Sequence, residues 1–325
     1  MHRFALFRFL RSLGYLAAVL FANAVNASSD HWNTYRAFSN TRDLTQDTVL
    51  DYGFPGKHYL RNDVVAAASE SFAPGSRIVA ADAALSPYQG MWSNENEAGW
   101  GVSITQHGAM IFATIYTYDA AGAPTWYVMP RCPVVNTGCS SELYQVHGGT
   151  PPDVDWNGAG KIVTRVGTGT LSFSDALHGT LDVNINGVQG SKAIAQQIFA
   201  SGSAPASPDL TDLWWNANES GWGMALTQQF GTIFSAWFAY DFNGKPMWYV
   251  VPDCAVIAVD TIILCKGDLY QVTGGSPLTA PWNEANKVIT RVGTVAFVFT
   301  DANNATAYYI INEQPGSRAI TRQLF

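Results

Sequence analysis

One feature constrains this chain more than any other: it contains the same module twice. "WSNENEAGWG" at 92–101 matches "WWNANESGWG" at 214–223, with Trp100 falling on Trp222 at an offset of 122. "YDAAGAPTWYVMP" (118–130) falls on "YDFNGKPMWYVVP" (240–252) at the same offset. After the cysteines the offset becomes 126, because the second copy carries four extra residues in one loop. "LYQVHGG" (143–149) then meets "LYQVTGG" (269–275), and "GSKAIAQQIF" (190–199) meets "GSRAITRQLF" (316–325). A repeat of about 113 residues is too long for a solenoid unit and suits a whole small domain. The sequence therefore predicts two homologous modules, 87–199 and 210–325, joined by a small, polar, proline-containing linker at 200–209.

Within each module the signals are strand and turn. "GTIFSAWFAYD" (231–241) is rich in β-formers, "FNGK" supplies a turn, and "TVAFVFT", "DANN" and "ATAYYII" continue the pattern. We count seven or eight strands per copy, in an all-β, antiparallel module that is either an up-and-down barrel or a two-sheet sandwich. Each copy holds two cysteines around one loop, Cys132 with Cys139 and Cys254 with Cys265. In an exported chain these read as two disulfides within the copies. Neither pair has the companion histidines of a metal site, so no metal and no cofactor is expected.

Export is read from the first 27 residues. Arg3, Arg8 and Arg11 precede the apolar run "SLGYLAAVLFANAV", and Val25-Asn26-Ala27 offers small residues where a signal peptidase cuts. The apolar run is shorter than the roughly 20 residues needed to span a bilayer. The mature chain is expected in the periplasm or outside the cell, with no transmembrane segment after signal removal. It would carry 15 basic against 25 acidic residues, a balance that argues against nucleic acid as partner. Residues 28–86 have no counterpart in either copy and read as an N-terminal arm.

The two modules resemble the tandem tryptophan-rich repeats of exported proteobacterial proteins, whose copies open on Trp-x-Asn-x-x-Glu-Ser-Gly-Trp-Gly. The second copy keeps that pattern at Trp214, Asn216, Glu219, Ser220, Gly221, Trp222 and Gly223, while the first has Ala98 in place of the serine. The resemblance implies export and β structure. It brings no activity with it.

Candidate chemistry is narrow. Asp119 and Asp241, and likewise Asp175 and Asp301, sit where turn-capping aspartates belong. Glu142 and Asp268 read as solvated charges preceding a strand, and Arg165 and Arg291 as partners for one of the shared acids. Glu97 and Glu219 stand apart, each between an asparagine and a glycine beside two tryptophans. They read as turn caps, as ligand contacts, or as the acid or base of a hydrolase. A glycosidase-type site needs a second committed carboxylate, and every other shared acid has a turn or surface explanation. Trp156 and Trp282 lie in loop-like sequence next to asparagine, where an indole can stack on a sugar or a peptide.

The candidate ligand-binding set is thus Trp100, Trp222, Trp156, Trp282, Glu97, Glu219, Asn96 and Asn218. The leading reading is a non-catalytic binding or interaction protein contacting glycan, peptide or cell-envelope material. A polymer hydrolase using Glu97 and Glu219, and a lipocalin-like carrier of a small apolar ligand, are the alternatives. Finally, the outward positions Val298, Tyr308 and Ile310 are apolar where the first copy has Ser172, Asp182 and Asn184. Such a patch is seldom left open, so we expect it to be covered by the first module or the 28–86 arm, making the two copies one rigid unit, with a partner protein as the alternative cover.

Overall fold

The computed structural model describes residues 87–202, 208–259 and 262–325. The segment read as a signal peptide, the 28–86 stretch read as an arm and the middle of the linker lie outside the described residues. Each module is a closed eight-stranded antiparallel barrel. The first is built from β1 (Gly90–Ser93), β2 (Gly101–His107), β3 (Met110–Tyr118), β4 (Pro124–Pro133), β5 (Gly138–His147), β6 (Ile162–Phe173), β7 (His178–Ile185) and β8 (Val188–Gln196). The second repeats it with β9 (Asp212–Trp215), β10 (Gly223–Gln229), β11 (Thr232–Tyr240), β12 (Pro246–Val259), β13 (Ile262–Thr273), β14 (Val288–Phe299), β15 (Asn304–Ile311) and β16 (Gln314–Arg322). Strands neighbour one another in chain order. Closure comes from β1 on β8, Trp92 opposite Gln196, and from β9 on β16, Trp214 opposite Arg322. Of the two architectures the sequence allows, the barrel is the one formed.

The period-two pattern explains the interior. Leu171, Phe173, Leu181 and Val183 in the first barrel, and Phe297, Phe299, Ala307, Tyr309 and Ile311 in the second, are all buried. Trp92 and Trp214 are fully enclosed, each indole donating to a carbonyl four residues earlier, of Tyr88 and Leu210. Aromatic side chains therefore fill both barrels. Cys132–Cys139 and Cys254–Cys265 are disulfides, each tying β4 to β5 or β12 to β13. The four extra residues of the second copy lengthen that same hairpin.

The barrels pack through equivalent parts of each other. Trp126 Nε1 donates to the Ala239 carbonyl at 3.0 Å, and its counterpart Trp248 donates to the Thr117 carbonyl at 3.0 Å. The Gly148 amide donates to Gly244 and the Gly274 amide to Gly122, again as matched positions. Every one of these contacts appears twice with the modules exchanged, the mark of a pseudo-two-fold, isologous interface. Gly149 and Gly275 are required here, because a Cβ on either would stand 2.1 Å from the ring of Tyr240 or Tyr118 on the opposite barrel.

Of the outward patch anticipated at Val298, Tyr308 and Ile310, the first two pack within their own barrel, while cover by the 28–86 arm lies outside the described residues. Val298 is buried in a cluster with Ile262 and Leu264, against which Ile257 and Tyr308 pack. These residues belong to the lengthened β12–β13 hairpin and to β14 and β15 of the same barrel. The indole bonds joining the barrels lie on β3, β4, β11 and β12 instead.

Candidate functional site

The signature turns lie between β1 and β2 and between β9 and β10, at one mouth of each barrel. Asn94 and Asn216 shape them: their side chains accept from the amides of Asn96 and Asn218, and their carbonyls accept from the amides of Glu97 and Glu219. The turn then holds its glutamate against the tryptophan three residues on. Trp100 Nε1 donates to Glu97 at 3.0 Å, and Trp222 Nε1 to Glu219 at 3.2 Å. Both tryptophans are buried, whereas Asn96 and Asn218 are exposed at the rim.

Each glutamate also meets a base. Lys192 Nζ lies 2.9 Å from the Glu97 carboxylate, and the Lys192 and Glu97 side chains are 9% and 19% exposed. Arg318 Nε stands 3.7 Å from Glu219. Glu97 thus accepts from both the Trp100 indole and the Lys192 ammonium, whereas Glu219 accepts from the Trp222 indole and has the Arg318 guanidinium only as an ion-pair neighbour. Each is held as an ion-paired anchor for its turn.

The loop between β5 and β6, and its equivalent between β13 and β14, crosses to the other barrel and closes that mouth. Arg318 donates to the carbonyls of Pro152 and Val154, and Tyr309 also donates to Pro152. In the matched position Lys192 donates to the Ala280 carbonyl at 3.3 Å. Lys161 Nζ donates to the Ser220 carbonyl at 2.7 Å and to its hydroxyl, and Lys287 Nζ to the Ala98 carbonyl at 2.9 Å. Trp156 leans on Tyr240 and Trp282 on Tyr118, each across the module boundary. The loop tryptophans are thus half-buried in the neighbouring module's mouth. Trp282 Nε1 and Trp237 Nε1 are buried without a hydrogen-bond partner. What space remains around Trp156, Trp222, Trp237 and Arg318 is about 10 Å³, room for one water at most.

The structure divides the candidate ligand-binding residues into two matched groups. Glu97 and Trp100 flank the turn whose Gly99 faces Trp282 of the second module, and Glu219 and Trp222 the turn whose Gly221 faces Trp156 of the first. Asn96 and Asn218 stay exposed at the rim, Asn96 lining an open groove of its own barrel. The remaining shared charges behave as surface and turn chemistry. Asp119, Asp241, Asp175 and Asp301 accept from backbone amides in their turns. Glu142 and Asp268 lie within β5 and β13 rather than before a strand. They pair at 2.7 Å with Arg165 and Arg291. For Glu142 the Tyr144 hydroxyl, then the Arg165 guanidinium, hold the carboxyl below its ordinary range.

Sequence reasoning missed Lys161, Lys287, Lys192 and Arg318. The signal was available: all four are basic in both copies at matched positions. An open groove of about 440 Å³ lies on the first barrel, lined by Asn94, Glu95, Asn96, Ser172, His178 and Thr180 among others. No cluster of three or more potential metal ligands occurs among the described residues, and no helix there is long and apolar enough to cross a membrane. No family model matches the chain, and no curated protein matches it.

Proposed function

We propose that this chain is an exported, non-catalytic interaction protein that contacts peptide, glycan or cell-envelope material. The observation that carries this reading is what already fills the mouths. In each one a loop of the other module lays its backbone carbonyls on a lysine or arginine and its tryptophan against a tyrosine. Aromatic faces and bidentate donors that hold polypeptide in this way are binding chemistry. Of the glutamates that a hydrolase would need, Glu97 is held by the Trp100 indole and Lys192, and Glu219 by the Trp222 indole beside Arg318, which favours anchoring over acid catalysis. Barrel interiors packed with tryptophan, tyrosine and phenylalanine likewise weigh against a lipocalin-like carrier, which needs an enclosed ligand space.

Export rests on the basic, apolar, small-residue order of the first 27 residues and on the resemblance to tandem tryptophan-rich repeats. Two disulfides suit the oxidising compartment that export reaches. The test places the chain lacking residues 1–27 on glycan and peptide arrays, beside turnover assays on extracellular polymers. Selective retention of an array ligand, kept when Glu97 and Glu219 are changed to glutamine, is the expected result. Hydrolysis of a polymer that both substitutions abolish would overturn the reading.

A further inference from the structure

We propose that the projecting edges of β6 and β14 are binding sites for an extended, uncharged peptide that adds to the sheet as a further strand. The edges arise because β6 is longer than its neighbour. Among the described residues Ile162–Arg165 pair with β5 alone, since pairing with β7 begins only at Gly167 opposite Ile185. In the second barrel Val288–Arg291 pair with β13, and β15 joins only at Gly293. The β5–β6 and β13–β14 ladders each shift register just there, between Leu143 and Tyr144 and between Leu269 and Tyr270. Such a bulge bends a ribbon away from its barrel. Among the described residues no strand pairs with the far side of either edge, and Ile162–Arg165 and Val288–Arg291 are exposed; an unpaired edge is the template to which another strand pairs.

The side chains agree. Ile162 and Val163 are 62% and 58% exposed, and Val288 and Ile289 are 54% and 59% exposed. Consecutive apolar residues exposed on both faces offer an added strand contacts above and below the sheet. Arg165 is paired with Glu142 and Arg291 with Asp268, each at 2.7 Å. Lys161 and Lys287 turn away from the edges into the other module's turn, Lys161 onto the neutral carbonyl and hydroxyl of Ser220 and Lys287 onto the Ala98 carbonyl and Glu284. An edge that is apolar and locally neutral selects against a charged strand and favours alternating β-branched and small polar residues.

A second copy of the chain is the poorer occupant. Four residues of strand are about 13 Å long. An edge that short buries far less than the roughly 1,200 Å² of a stable interface between globular partners. A linear segment can follow the short edge without docking a second globular surface beside it, and two equivalent edges per chain give avidity for a partner that repeats its sequence.

The inference rests on the interaction reading above and names its partner class. It concerns a surface apart from the barrel mouths. The probe is fluorescein-labelled (Val-Thr)4 amide, titrated by anisotropy against the chain lacking residues 1–27. A control peptide carries alternate N-methylated residues, which cannot complete a strand ladder. We expect the control to bind at least tenfold more weakly. Ile162→Lys with Val288→Lys should weaken the parent peptide at least tenfold at unchanged melting temperature. Amide exchange at Ile162–Arg165 and Val288–Arg291 should slow when the parent peptide is bound. Absence of binding, equal binding of both peptides, or protection confined to other strands would each overturn the inference. If glycan is retained on an array while neither peptide binds, the edge proposal fails and the interaction reading stands.

Discussion

Replacing Glu97 by glutamine should cost more stability than the same change at Glu219, although the two residues occupy matched turns. Glutamine keeps an oxygen for the tryptophan indole in both, so the difference isolates the ion pair. At Glu97 the ammonium of Lys192 is 2.9 Å away and largely buried. Removing one partner of a buried pair costs roughly 3–5 kcal/mol. The partial exposure of Glu97 and the Ala280 carbonyl that Lys192 retains reduce this to about 2–3 kcal/mol. At Glu219 the contact is 3.7 Å and Arg318 keeps two loop carbonyls, so about 1 kcal/mol is expected. Thermal unfolding followed by circular dichroism reads these as shifts of roughly 4–12 °C and 2–4 °C for domains of this size. In the double variant Glu97→Gln with Lys192→Met, much of the loss should return, because no unpaired charge remains. An E97Q protein as stable as the parent, or an E219Q protein that loses more, would refute the anchoring role of the carboxylate. Unchanged stability with lost binding or turnover would make it functional instead.

Three further outcomes are expected. Removing either disulfide by paired Cys→Ala substitution should cost about 2.5–3 kcal/mol, nearly alike for the two loops, because closure entropy grows only with the logarithm of loop length; denaturant titration of each variant measures it. Val298→Ser, which installs the residue of the first copy, should cost about 1–2 kcal/mol by stripping apolar area from the cluster with Ile262 and Leu264, whereas Ser172→Val in the first barrel should not produce the opposite loss. Stability should fall as pH rises from 10 toward 12. Burial lifts the Tyr309 hydroxyl to about 12, and lifts Tyr116, Tyr118, Tyr240 and Tyr249 as well. The folded state thus holds a proton that the unfolded chain releases above about pH 10. Tyr309→Phe should flatten the slope.

Much of this architecture is legible in the sequence, and the reason is physical. A period-two pattern repeated at fixed offsets marks strands, their inward faces and the module count, since these depend on near neighbours. The turn aspartates and the cysteine pairs are equally local. What the sequence leaves open depends on distant pairing. Closure of β1 onto β8 separates a barrel from a sandwich, and nothing near Trp92 announces Gln196 as its partner. Trp126 and Trp248 are buried strand tryptophans whose indoles donate into the opposite barrel, and nothing local to either announces that partner. Trp156 and Trp282 have the loop context of ligand-contacting residues because they do contact a mouth, that of the other module. Matching basic positions across the copies, as the acidic positions can be matched, would have pointed to Lys192 and Arg318 as partners of Glu97 and Glu219.

The interlocked arrangement is tested most directly by differential scanning calorimetry of the chain lacking residues 1–27 under oxidising conditions. Each mouth is completed by the other module's loop, so neither barrel can open without exposing its neighbour. A single transition is predicted, with calorimetric and van't Hoff enthalpies equal. Two separable transitions, each with the enthalpy of one barrel, would contradict it.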